Sequence, residues 1–87
     1  MSQQDMFKKK VKVFSASWCQ NCGPVKASLL DLELEGLIEL EYLDIDSKSG
    51  ADAATEHYVR GIPTVLKEDG TRSVGAISIG ELREWLL

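Results

Sequence analysis

Lys10-Val11-Lys12-Val13-Phe14-Ser15-Ala16-Ser17-Trp18-Cys19-Gln20-Asn21-Cys22 is the stretch that decides the fold. Its first five residues alternate polar and apolar and end apolar, the pattern of a strand with one face buried. Ser15-Ala16-Ser17 is a short connection of small residues. From about Gln20 to Glu35, Val25, Leu29 and Leu32 recur at spacings of four and three, and Leu30, Leu34 and Leu37 repeat that spacing beside them. A broad apolar helical face follows from this, with Gly36 placed to end the helix in the left-handed conformation. The cysteine pair therefore lies where a strand hands over to a helix, and that context makes a bare C-x-x-C informative.

Leu37 to Ile45 reads as a second strand, with Leu43 and Ile45 on one face. Ser49 followed by Asp52 has the form of a capping pair, and Ala51, Ala54 and Tyr58 outline a short second helix that Gly61-Ile62-Pro63 breaks. Thr64-Val65-Leu66 and Ser73-Val74 flank Asp69-Gly70, a strong hairpin signal. Ser78-Ile79-Gly80-Glu81 is a capping box, and Ile79, Leu82 and Leu86 continue at helical spacing. The order is βαβαββα, an α/β chain. The strand–helix–strand start implies a parallel crossover and the Asp-Gly turn adds an antiparallel hairpin. A four-stranded mixed sheet with helices on both faces is the expected architecture.

At 87 residues the chain has room for one domain, 1–87, with residues 1–9 as an N-terminal extension. Hydrophobic residues make up 44% and charged residues 28%, which is globular rather than disordered composition. Ten Lys+Arg against fourteen Asp+Glu give a net charge of −4, which argues against a nucleic-acid binder. Lys8-Lys9-Lys10 is too short a run to reverse that. No stretch reaches the roughly 18 apolar residues of a membrane span, and the first residues do not read as a secretory signal. Two cysteines cannot supply the disulfide scaffold of a small secreted domain, so a cytoplasmic protein is expected.

The chemistry sits in Trp18-Cys19-Gln20-Asn21-Cys22. Two residues between cysteines on a first helical turn allow a disulfide to close without unwinding the helix. Unpaired N–H groups and the macrodipole at a helix N-terminus favour thiolate at Cys19. Cys19, at the mouth of the turn, is expected to be exposed and to attack first. Cys22, shielded further in, is expected to resolve the mixed disulfide. The competing reading is a metal site. Zinc normally takes four ligands, and beyond these cysteines only His57 offers a sulfur or imidazole donor, so no metal is expected. His57 near the end of the second helix suits surface capping better than a Cys–His pair. Trp85 is expected to pack in the last helix, and Glu33, Glu35, Glu39 and Glu41 to be solvated surface.

Trp18-Cys19-x-x-Cys22, then Arg60-Gly61-Ile62-Pro63-Thr64, then Val74-Gly75-Ala76 resembles the thioredoxin family in order and spacing, and Leu43-Asp44-Ile45-Asp46 is similar to its central strand. The resemblance runs from about Val11 to Leu87. The length is closer to glutaredoxins, because the strand and helix that start a typical thioredoxin are absent. The resemblance implies Cys19 as nucleophile, Cys22 as resolving thiol and Pro63 as a cis-proline beside the sulfurs. Trp18, Ile62, Pro63, Gly75 and Ala76 would form an apolar groove, with the Ile62 backbone offered to an extended substrate segment.

Three departures matter. Gln20-Asn21 stands where thioredoxins have Gly-Pro, and Gly23-Pro24 follows Cys22 instead. Val13 and Tyr42 stand where the family carries a buried Asp and its accompanying Lys. The acid that follows the glycine pair in glutathione-binding glutaredoxins is missing after Val74-Gly75-Ala76-Ile77-Ser78, and Lys26 reads best as a solvated helix-face lysine. The implied activity is a protein-disulfide oxidoreductase with no bound cofactor, a monomer that makes no contact with nucleic acid or membrane. Its electrons would come from NADPH through a thioredoxin reductase-like flavoprotein. Its partners would be disulfide-bearing enzymes such as ribonucleotide reductase or peroxiredoxin. The alternatives are a glutathione-dependent glutaredoxin and a non-catalytic thioredoxin-like binding subunit.

Overall fold

The computed structural model describes residues 9–86. Its elements are β1 (Lys9–Ser15), α1 (Cys22–Leu34), β2 (Ile38–Asp44), α2 (Lys48–Glu56), β3 (Thr64–Lys67), β4 (Arg72–Val74) and α3 (Ile79–Leu86). The order is the expected βαβαββα. The extension expected over residues 1–9 lies outside the described residues, except that Lys9 already belongs to β1. Among the described residues, no helix is long and apolar enough to cross a membrane.

The strands form one mixed sheet in the order β2-β1-β3-β4. β1 pairs parallel with β2, as the α1 crossover requires, and antiparallel with β3. β3 and β4 form the hairpin read from Asp69-Gly70; Gly70 has φ +92° and donates to the Lys67 carbonyl at 3.1 Å.

Strand alternation separates two faces. Val11 and Val13 of β1, with Val65 opposite Val13, join Val25, Leu29, Leu32, Ile38, Leu82 and Leu86 in the main core. That face is covered by α1 and α3. Lys12 and Phe14 point the other way, and the Phe14 ring meets His57, the C-cap of α2, edge-on at 6.2 Å. Helices therefore lie on both faces, with α2, among the described residues, alone on the second.

Several local expectations are corrected. Only the Cys22–Val25–Leu29–Leu32 row of α1 is buried; Leu30 and Leu34 are exposed, because a single sheet face covers a single helical stripe. Gly36 does end α1, at φ +80°. Its N–H reaches the Glu33 carbonyl at 2.9 Å, while Leu37 N–H reaches the Leu32 carbonyl at 3.1 Å. Those two bonds satisfy carbonyls that the helix end would otherwise leave bare. The cap of α2 is Ser47 rather than Ser49: Ser47 is extended and its hydroxyl accepts the Gly50 N–H, whereas Ser49 is already helical. Tyr58 lies beyond α2 with φ +57° and is exposed, so it does not continue the buried helical face. The Ser78–Glu81 box forms at α3, the Ser78 hydroxyl accepting Glu81 N–H at 3.2 Å and donating to its carboxylate at 3.0 Å.

Glu35, Glu39 and Glu41 are exposed, as expected, and Glu33 is half-buried. The Glu33 carboxylate accepts the Leu40 N–H at 3.1 Å, Glu41 pairs with Lys12 at 3.5 Å and Glu35 pairs with Arg83. Likewise Lys26 is not free in solvent; its ammonium sits 5.5 Å from the centre of the Tyr42 ring. Trp85 packs against the core as expected, with the Lys67 ammonium 5.1 Å from its ring centre.

Candidate active site

Cys19 and Cys22 form a disulfide with Cα atoms 5.4 Å apart, inside the range such a bond spans. Both lie at the carboxyl end of β1, delivered by the Ser15–Trp18 connection. The Cys19 N–H donates to the Ala16 carbonyl at 3.1 Å, and the Cys22 N–H to the Cys19 carbonyl at 3.4 Å. The helix starts two residues later than the sequence pattern places it. Asn21 is its N-cap and Cys22 its first residue, so Cys19 stands in the turn ahead of α1 rather than on it. The reason is local: the Asn21 side chain makes no cap hydrogen bond, and the Cys19–Asn21 turn replaces the first helical turn. Pro24 then falls in the first turn, where no N–H is needed.

The two sulfurs have different surroundings. Cys22 is 1% exposed, whereas Cys19 is only half-buried. This is the asymmetry that attack by one thiol and resolution by the other require.

The Ile62–Pro63 peptide bond is cis. Pro63 is buried, and its carbonyl accepts the Gly75 N–H at 2.8 Å, with Gly75 at φ +92°. Trp18 and Ile62 line one shallow depression together with Ile45, Ala51, Ala54 and Val59, and Arg60 adds a charge to its lining. Of the five residues expected to form a groove, the structure thus joins Trp18 to Ile62 and Pro63 to Gly75; Ala76 is exposed outside that depression.

Asp46 has no role in the sequence reading. Its carboxylate accepts the Trp18 indole N–H at 3.0 Å, across 28 positions of chain. Trp18 is 64% exposed, so this bond rather than burial sets where the ring lies. The Leu43-Asp44-Ile45-Asp46 motif was the available signal, but nothing in it shows that Trp18 would come within reach.

His57 sits at the C-cap of α2, as expected. It is half-buried on Phe14, 3.9 Å from the Glu56 carboxylate, and lines a cleft with Lys10, Lys12, Glu41 and Leu66 whose walls include neither cysteine. Among the described residues no three His, Cys, Asp or Glu side chains converge in a way that would hold a metal ion.

No protein-family model and no curated protein matches this chain. Solved structures do. A thioredoxin of Fasciola hepatica is 28% identical with a TM-score of 0.77, over 92% of this chain and 79% of its own. Oxidised thioredoxin O2 of Arabidopsis thaliana is 21% identical with a TM-score of 0.74, over 94% of this chain and 75% of its own. Oxidised mitochondrial thioredoxin 3 of Saccharomyces cerevisiae is 24% identical with a TM-score of 0.73, over 98% of this chain and 85% of its own. The chain has the thioredoxin fold, and it places a C-x-x-C pair at disulfide geometry, the arrangement of thiol–disulfide oxidoreductases in general.

Proposed function

We propose that this thioredoxin-fold chain reduces disulfide bonds in protein partners. The observation that carries the reading is the unequal pair: a half-buried Cys19 joined by a disulfide to a buried Cys22. In the reduced protein the Cys19 thiolate attacks one sulfur of a substrate disulfide and expels the other as a thiolate, leaving a mixed disulfide. Cys22 then loses its proton, its thiolate attacks the Cys19 sulfur, and the second substrate thiol leaves. Two electrons pass to the substrate and the Cys19–Cys22 disulfide forms. No bound cofactor takes part. A flavoprotein reductase using NADPH returns two electrons to the pair, in line with the family resemblance.

The groove assignment belongs to the same proposal. Trp18, Ile62, Pro63, Gly75 and Ala76 receive the substrate segment around its disulfide, and the Ile62 backbone pairs with it as an added strand. Val13 leaves the first strand without a carboxylate near the resolving step, so water or a substrate group takes the Cys22 proton. Enzymes that must recycle their own disulfide, such as ribonucleotide reductase or peroxiredoxin, are the partner class this chemistry serves. A reducing, cytoplasmic setting suits a chain whose two cysteines are both committed to the redox pair.

The experiment is insulin reduction coupled to NADPH and a thioredoxin reductase, run beside the Cys22→Ser variant. Turnover by the natural protein, together with a trapped Cys19 mixed disulfide in the variant, is the expected result. Turnover with glutathione alone at matching rates would replace the reading with a glutaredoxin. No turnover in either system would leave a binding subunit.

A further inference from the structure

Gly50 lies 31 positions after Cys19, yet it begins the series of contacts that ends on Trp18. It is buried in the first turn of α2. A Cβ built on it would overlap the Asp44 carbonyl oxygen and lie 2.9 Å from Ser47 Oγ. The obstructing atom is backbone, so no side-chain rotation relieves the overlap. Only glycine lets α2 start this close to the end of β2.

That close start holds a turn together. Ser47 Oγ donates to the Asp44 carbonyl at 2.7 Å and accepts the Gly50 N–H at 3.0 Å. The Asp44 carboxylate accepts the Asp46 N–H at 2.9 Å, and the Ile45 N–H ties the turn to Ser15 of β1 at 3.0 Å. The turn so fixed presents the Asp46 carboxylate to the Trp18 indole N–H.

We propose that Gly50 is a positioning residue for the Cys19 reaction, acting through the Asp44–Ser47 turn and Asp46 on the Trp18 indole. The inference rests on the proposed function and adds a remote determinant of substrate docking to it. An exposed indole has little packing to define its place, so displacing the turn displaces the ring. A docked protein disulfide must meet Cys19 in a narrow geometry, and a shift of about 1 Å in a positioning group can cost up to about a hundredfold in rate. A small disulfide reaches the sulfur without using the Trp18–Ile62 depression.

The test compares Gly50→Ala and Ser47→Ala, each alone and combined with Trp18→Phe. The readouts are kcat/KM for insulin, the rate with hydroxyethyl disulfide, and Trp18 fluorescence anisotropy in a Trp85→Phe background. Each single variant is expected to lose about tenfold with insulin. The small-disulfide rate stays within about twofold, and combination with Trp18→Phe brings no further loss. Anisotropy falls as the ring loosens. An unchanged insulin rate, losses that multiply with Trp18→Phe, or an unchanged anisotropy would each overturn the proposal. If Gly50→Ala does not fold, Ser47→Ala decides alone, since it removes the same two hydrogen bonds without adding an atom. A natural protein that reduces no disulfide would sink the proposed function instead, and the anisotropy would still judge the link from Gly50 to Trp18.

Discussion

Val13 on β1 lies directly opposite Tyr42 on β2 in the parallel pair. Val13 is fully buried, whereas Tyr42 is 44% exposed, with the Lys26 ammonium over its ring. The two positions that resemble the buried Asp and Lys of thioredoxins are thus neighbours, filled by an apolar and an aromatic residue. An Asp at position 13 would have no cation across the strand to pair with. Its folded-state pKa would rise above the unfolded value of about 3.9. Destabilisation then grows as pH rises from that unfolded value towards the folded one, because the folded state resists losing the proton. Val13→Asp is expected to cost at least about 3 kcal/mol at pH 7 and much less at pH 4, read by urea denaturation. It should also speed mixed-disulfide resolution by supplying the missing base. An unchanged resolution rate would sink the idea that water or substrate takes the Cys22 proton.

Tyr42 itself titrates above the ordinary 10.0, chiefly because its phenol is partly desolvated and secondly because the Glu33 carboxylate repels a phenolate. Glu33→Gln is expected to bring the Tyr42 pKa down part of the way, since burial remains, while its amide oxygen still accepts the Leu40 N–H. Glu33→Ala should lower it similarly and also free that N–H at the outer edge of the sheet, so Leu40 exchanges its amide proton about tenfold faster. Phenol titration in a Tyr58→Phe background and amide exchange measure the two effects. A Tyr42 pKa indifferent to both substitutions would refute the electrostatic link.

Element order, sheet composition, the hairpin and the cysteine pair were legible because each has a local cause. Alternation marks β1, the Asp69-Gly70 turn fixes the hairpin, and Ser78-x-x-Glu81 caps α3. What failed was set mostly by contacts between distant parts of the chain. The α2 cap is the local exception: Ser47 outcompetes Ser49 because its hydroxyl reaches the Asp44 carbonyl three residues back. Leu30 and Leu34 match the helical spacing yet stay exposed, since among the described residues no second element covers that stripe. His57 caps α2 as its position implies, but its packing on the Phe14 ring of β1 has no local sequence signal. The Asp46–Trp18 bond joins residues whose proximity only the β1–β2 register creates.

The hairpin offers a pH prediction. The Asp69 carboxyl is held below its ordinary 3.8, first by the Thr71 hydroxyl and then by the Thr71 N–H, which donate at 2.7 and 3.0 Å. A depressed folded-state pKa contributes stability above the unfolded value and loses it as pH falls through the folded one. Thr71→Val is therefore expected to move the Asp69 pKa up towards 3.8 and to flatten the acid limb of stability. Carboxyl NMR titration checks the first and denaturation between pH 2 and 5 the second. An Asp69 that titrates identically in the variant would show that the hydroxyl bond does not form.

Core packing concentrates on few side chains in so short a chain. Leu29 is fully buried between the sheet and α3, in the same cluster as Leu82 and Leu86. Leu29→Ala removes buried methyl groups and leaves a cavity, at a cost of about 2–5 kcal/mol. Exposed Leu34 offers a control on the same helix, where Leu34→Ala should stay within about 0.5 kcal/mol. Urea midpoints that fell equally for the two would mean the covered stripe of α1 is misassigned.

The unequal burial of the two cysteines makes a last prediction on the reduced protein. A thiol at 1% exposure has almost no approach path for a reagent, while one in the open turn before the helix does. Limiting iodoacetamide should modify Cys19 at least about tenfold faster than Cys22, scored by mass spectrometry of the separated peptides. Cys22→Ser should leave the rate at Cys19 nearly unchanged, because it alters neither the exposure of Cys19 nor the turn that carries it. Cys19→Ser should leave Cys22 almost unreactive until denaturant is added. If the two sites label at equal rates in the folded protein, Cys22 is not held in reserve, and the order of attack and resolution proposed for this pair fails with it.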